Sequence, residues 1–245
     1  MSGSTPTEAN LTGRKALVVG AYGGMGSAVA VALAREGVAC ALMGRSRERL
    51  METAKTCAEA GTAAFPVVCD IAQTETIESA VRQAVDALGG LNFLINCAGF
   101  YQKTTADQGA LETWDRILDV NLKGTYHLAR HALPEINKSP GGAIIKIGSF
   151  PSSYSGAGAF LATTRGLDGY ADALFEDIRE YGTKVCIIRP GFVNTSLAAS
   201  NRLDPALMIQ PEDIARTVLF VLTMPETACP TEITIRPQRS PYHNP

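Results

Sequence analysis

The sequence predicts an α/β fold in which a doubly wound sheet of seven parallel strands carries helices on both faces. Three observations predict it. Short apolar runs alternate with amphipathic stretches from one end of the chain to the other. The stretches between runs can each hold a helix that crosses back over the sheet, which keeps successive strands parallel. No Ser/Pro/Gly-rich linker and no internal repeat divides the chain, so residues 1–245 read as a single domain.

The strand-like runs, in order, are 16–19, 38–43, 64–68, 91–95, 143–147, 184–188 and 232–235. Runs such as Ala-Leu-Val-Val at 16–19 lack the polar alternation of a half-exposed strand, as expected where helices cover both faces. The helical stretches are 28–36, 46–60, 74–88, 111–136, 166–181 and 211–222, with apolar residues recurring at helical spacing. The polar, proline-bearing ends, 1–10 and 239–245, are expected to be loose tails.

Composition narrows the function. Hydrophobic residues make up 46% and charged residues 19%, enough for a soluble core that needs no staple. A net charge of −2 with no basic run argues against nucleic acid as a partner. The six cysteines form no CxxC pair and there are three His, which argues against a metal site and for a reducing compartment. The N-terminus has no apolar signal segment and no window of about 18 apolar residues exists, so a cytoplasmic protein without membrane contact is expected.

The first strand runs into Gly20-Ala21-Tyr22-Gly23-Gly24-Met25-Gly26 and then into a helix. A strand that turns tightly into a helix offers backbone N–H groups and a positive dipole end to a phosphate. Glycines there let the backbone approach a pyrophosphate closely. An ordinary βα loop could look alike, but the position after the first strand favours nucleotide binding. At the end of the second strand, Met43-Gly44-Arg45-Ser46-Arg47 holds no acid to grip the ribose hydroxyls of NAD. Arg45 is the expected partner of a 2′-phosphate, with Arg47 as a second cation, so NADP(H) is the expected cofactor.

On these residues the chain resembles the short-chain dehydrogenase/reductase family, a Rossmann-type fold, over nearly its whole length. The family's glycine turn matches Val19 through Gly26, with Val19 in place of threonine. The resemblance implies cofactor contacts at Gly20, Tyr22, Gly24, Met25 and Gly26. It implies further contacts at Asp70 and Ile71 after the third strand and at Asn96, Ala98 and Gly99 in Asn96-Cys97-Ala98-Gly99. Pro190, Gly191, Val193 and Thr195 match the segment that holds the nicotinamide carboxamide. Asn121 matches the helix asparagine of the proton relay, and Ser149 the serine that polarises a substrate carbonyl.

One motif departs. The family places a Tyr and a Lys four residues apart on the helix after the fifth strand, where the Lys lowers the Tyr pKa so that a phenol can donate a proton near neutrality. Aligned on Gly166-Leu167, this chain has Phe160 at the Tyr position and Thr164 at the Lys position, and none of its tyrosines has a Lys four residues on. Phe carries no transferable proton and Thr no charge. Tyr154 and Arg165 are nearby candidates for a partial substitute. Four readings stay open: an NADP(H)-dependent reductase of a carbonyl or imine with an atypical site, a non-redox enzyme (cyclase, isomerase or dehydratase), an NADP(H)-binding pseudoenzyme, or an inactivated form of an active reductase.

Residues 192–207 are expected to form a flap, whose Phe192, Leu197, Ala198, Ala199 and Leu203 point to an apolar, medium-sized ligand. Packing of those residues on the last helix would serve equally. The resemblance also implies a homotetramer or dimer built on 111–136 and 160–181. In the second stretch the small residues Ala162, Gly166, Gly169, Ala171 and Ala173 suit either a partner or the chain's own sheet.

Overall fold

The computed structural model describes residues 10–138, 140–198, 200 and 202–242. Strands β1 (Lys15–Val19), β2 (Ala39–Gly44), β3 (Ala64–Val68), β4 (Phe93–Asn96), β5 (Ala143–Ile147), β6 (Lys184–Pro190) and β7 (Glu232–Ile235) form one sheet in the order β3-β2-β1-β4-β5-β6-β7. All six pairings are parallel. The helices are α1 (Gly24–Arg35), α2 (Arg47–Ala60), α3 (Thr74–Leu88), α4 (Leu111–Leu118), α5 (Gly124–Ile136), α6 (Gly158–Ile178) and α7 (Pro211–Thr223).

The period of two along each strand divides the core into two layers. Ala16 and Val18 of β1 pack with Leu33 of α1 and Val218 of α7, whereas Leu17 and Val19 pack with Ile77 of α3 and Leu128 of α5. Strand order reverses between β1 and β4, so the chain leaving them goes to opposite faces and opens a crevice at their carboxyl ends. Cys40, Cys57, Cys69 and Cys186 are buried free thiols, packed as small apolar groups. No helix among the described residues is long and apolar enough to cross a membrane.

Three expectations are corrected. The stretch 111–136 is two helices, because a π turn at Asp119–Lys123 separates α4 from α5. The turn is held from outside: Asn121 bridges the backbone of Phe100, and Gly124 passes so near Ile71 that a Cβ would lie 2.6 Å from its carbonyl oxygen. Helix α6 starts at Gly158 rather than 166, with no capping side chain to mark the start, and ends in a 3₁₀ turn at Arg179–Tyr181. The described part of the C-terminal tail is docked, not loose. Pro241 accepts a 2.7 Å hydrogen bond from the Asp204 N–H, Tyr242 pairs with Leu203, and its ring meets Phe192 edge-on at 5.5 Å. Residues 1–9 and 243–245 lie outside the described residues.

Arg189 of β6 ties the sheet to α6. Its side chain is 3% exposed and pairs with Asp168 of α6 and, at 2.9 Å, with Glu232 of β7. Because both carboxylates keep some contact with water, Arg189→Leu should cost about 1–3 kcal/mol, less than a fully buried pair. Urea denaturation checks this, and an unchanged midpoint would contradict it.

Candidate functional site

The crevice holds a cleft of about 230 Å³ lined by Gly20, Tyr22, Gly24, Met25 and Gly26 of the first turn. Gly20 has φ +73°, and a Cβ there would lie 2.9 Å from the Ala98 nitrogen. A Cβ on Gly26 would run into the Gly20 carbonyl, so the turn closes only with glycine at both places. Helix α1 begins here with no side chain capping it, leaving its first N–H groups to face the cleft.

Arg45, Asp70, Ile71, Ala98, Gly99 and Thr195 complete the predicted set on this cleft. Asp70 accepts from the Ala72 N–H at 3.1 Å and from Arg116 of α4 at 3.0 Å. Burial works to raise the Asp70 pKa, but these donors and the charges of Arg116 and Arg45 outweigh it and hold the carboxyl below its usual range. Arg45 is exposed at the rim. Arg47 does not line the cleft. Nor does Arg49, whose guanidinium lies 4.4 Å from the centre of the Tyr22 ring and donates to the Tyr22 carbonyl at 3.3 Å; the second cation on the cleft is Arg116. Arg49 and Arg116 each stand beside other charges on amphipathic helices, and nothing in the sequence singles them out.

Asn96 sits behind the cleft. Its amide oxygen accepts from the Ala98 N–H and its amide nitrogen donates to Thr125 Oγ1, both at 3.0 Å. Both ends are spent on the fold, so this residue shapes the turn and does not line the cleft.

A second cavity of about 150 Å³ continues from the first, sharing Met25, Cys97, Gly99, Phe100, Thr195 and Leu197 with it. Asn121, Ser149, Phe160 and Thr164 line it, with Pro190, Gly191 and Val193. The sequence therefore assembles one site from the π turn, the end of β5, helix α6 and the segment after β6. Asn121, 5% exposed, donates from Nδ2 to the Phe100 carbonyl and accepts from the Phe100 N–H, both at 2.8 Å. Phe160 meets Tyr101 edge-on at 5.2 Å. Thr163 and Thr164 both donate to the Phe160 carbonyl, at 2.8 and 2.9 Å, so their hydroxyls are turned back on their own helix. From the flap, Leu197 and Ala198 reach the cavity, whereas Phe192 and Leu203 turn to the C-terminal tail. Ala199 lies outside the described residues.

Neither suggested substitute faces this cavity. Tyr154 is 50% exposed, and burial of its phenol together with a hydrogen bond to Tyr101 pushes its pKa up, away from a proton donor's range. Arg165 points to solvent, 3.6 Å from Asp168.

The cavity does contain a cation, and it comes from the sheet. Lys146 of β5, beside Asn96 in the register, is 6% exposed and lines the cavity. Its Nζ donates to the Ala98 carbonyl at 2.5 Å, and among the described residues no carboxylate pairs with it. Desolvation lowers its pKa to about 8, with neighbouring Cys97 opposing slightly. Burial in turn pushes the Cys97 thiol up to about 12. In the sequence Lys146 is an interruption of an apolar run, and only the pairing of β4 with β5 turns it toward the site.

An unpaired buried ammonium burdens the fold. The native pKa lies below the unfolded value, so the burden is complete below pH about 8 and fades as pH rises from there to 10.5, where the unfolded chain binds the extra proton. Lys146→Met should therefore gain up to roughly 3 kcal/mol at neutral pH, with the gain shrinking in alkaline buffer. Thermal unfolding of both proteins across that range checks the sign, and a variant that is less stable at every pH would contradict it.

Comparison with known proteins places this geometry. An uncharacterized oxidoreductase of Staphylococcus aureus is 32% identical over 230 residues, covering 93% of this chain and 98% of its own. The crystal structure of a short chain dehydrogenase from Burkholderia cenocepacia in complex with NADP superposes with a TM-score of 0.86 at 26% identity, over 93% of this chain and 98% of that one. A metagenomic short-chain oxidoreductase in complex with NADP gives 0.83 at 26% identity, over 95% and 100%. The sequence pattern of the short chain dehydrogenases matches residues 14–206, and the chain belongs to that family.

Proposed function

We propose that this protein is an NADP(H)-dependent oxidoreductase that reduces a carbonyl or imine of a small, largely apolar molecule in an atypical site. The observation that carries the reading is the continuity of the two cavities: a cleft at an uncapped helix end opens into a pocket with Ser149 and Asn121 on its wall. The residues fit a dinucleotide. The glycine turn would take the pyrophosphate, Asp70 and Ile71 the adenine end, and Thr195 with Pro190, Gly191 and Val193 the carboxamide. Arg45 would meet a 2′-phosphate. The NADP bound in the Burkholderia and metagenomic relatives supports the choice. When bound, the nucleotide supplies hydride, and the chain orients the carbonyl with the Ser149 hydroxyl. Leu197 and Ala198 give the pocket its apolar wall. Six free cysteines fit a reducing cytoplasm.

The same family reading supports self-association through α5 and α6. Ala162, Gly166, Gly169 and Ala173 are exposed, and a Cβ on Gly169 would meet nothing within 4 Å. These four therefore do not pack on the chain's own sheet, whereas Ala171 packs against the core. Tyr126 stands 48% exposed on the neighbouring α5.

Isothermal calorimetry should find NADPH bound more tightly than NADH, and Arg45→Ala should weaken NADPH by roughly tenfold or more, the worth of a charge-assisted contact. Equal affinity for the two nucleotides would sink the cofactor choice. Consumption of NADPH with a panel of aldehydes, ketones and imines tests the redox reading. Binding without turnover would move the protein to a binding role. In sedimentation, a dimer or tetramer is expected at micromolar concentration, and a monomer contradicts it.

A further inference from the structure

Among the described residues of the second cavity, one group stands without a counterion. Lys146 is buried, its Nζ meets only a neutral carbonyl, and the titratable side chains near it are Cys97 of the segment after β4 and Tyr170 of α6. Burial of Tyr170 pushes its phenol up to about 12, so neither neighbour is an anion at neutral pH. A buried charge without a partner is costly, and its retention inside a ligand cavity points to work done on the ligand.

Among its described residues the cavity lacks any other proton donor suited to neutral pH. Ser149, Thr163 and Thr164 are aliphatic hydroxyls, and the Cys97 thiol holds its proton well above neutrality. Phe160 has no proton to give. Thr164 is short, and its hydroxyl is bonded to its own helix, which leaves room for a side chain reaching in from the sheet.

We propose that Lys146 is the proton donor of this site, acting from strand β5 where no group of helix α6 can. The inference rests on the oxidoreductase reading above. As the substrate carbonyl carbon receives hydride from a reduced nicotinamide, the C=O π pair moves onto oxygen. The Lys146 N–H bond breaks as the new O–H bond forms, leaving an alcohol and a neutral amine that is reprotonated from water. The nucleotide is oxidised and the carbonyl reduced. An ammonium with a pKa of about 8 is charged at neutral pH yet a stronger acid than an ordinary phenol, the property a general acid needs.

Lysine labelled with carbon-13 at the ε position, assigned by comparison with Lys146→Met, reads the group directly by NMR. Its signal should titrate near pH 8 and move on addition of NADPH. In the same preparation, NADPH-dependent reduction of 4-nitrobenzaldehyde and the rest of the carbonyl panel should fall as pH rises through that midpoint. Lys146→Met and Lys146→Arg should both keep NADPH binding within a few fold and lose kcat/KM by about 10² or more, since arginine keeps the charge but does not release its proton. Adding Phe160→Tyr with Thr164→Lys to Lys146→Met should return turnover. A protein that binds no NADPH defeats the oxidoreductase reading. NADPH binding with an unmoved Lys146 signal, or with full activity in either single variant, overturns the role given to Lys146, whereas NADPH binding with no carbonyl in the panel reduced defeats the oxidoreductase reading and that role with it.

Discussion

The structure depends on one close approach, that of the first turn to the end of β4. Gly20 has to take a left-handed φ with the Ala98 backbone against it, and Gly26 has to pass over the Gly20 carbonyl. Only residues without a Cβ allow both contacts. Their consequence is geometric: α1 starts at the carboxyl edge of the sheet, where strand order reverses, and points its unbonded N–H groups into the crevice. Cleft, cavity and the chemistry read from them all follow from that placement.

A second constraint holds the far side of the site. The Asn96 side chain binds the Ala98 N–H and Thr125, and Thr125 in turn donates to the Asn121 carbonyl at 2.8 Å. This chain of hydrogen bonds links the end of β4 to the π turn. It fixes Phe100, the Ala98 carbonyl and so the seat of the Lys146 ammonium. Buried polar networks rigidify only when every member is satisfied, and here each amide end has a partner. Asn96 therefore acts on the site through the backbone it holds.

Much of this was legible in the sequence. Strands with no polar alternation announced a sheet covered on both faces, and the glycines after β1 announced the tight turn into α1. Phe160 and Thr164 were legible as cavity residues, because the helix that carries them could be placed from Gly166-Leu167. What escaped depends on partners far apart in the chain. The π turn is imposed on 119–123 by Phe100 and Ile71, and no local propensity encodes it. Arg116 matters because Asp70 folds against it, and Arg49 because Tyr22 lies under it. The tail up to Tyr242 read as loose because its polar composition hides the pairing with Leu203. Lys146 looked like an interruption of a strand, and only the strand register turns it into the cavity's cation.

The central claim is that the nucleotide cleft and the lysine-bearing cavity form one working site. A crystal structure of the NADPH complex tests it most directly. The account predicts pyrophosphate on the turn at Gly24, the 2′-phosphate at Arg45, and the nicotinamide at the mouth of the cavity that holds Ser149 and Lys146. A nucleotide bound with its nicotinamide turned out to solvent, or Lys146 closed off behind Cys97 with no path to the ring, would contradict it.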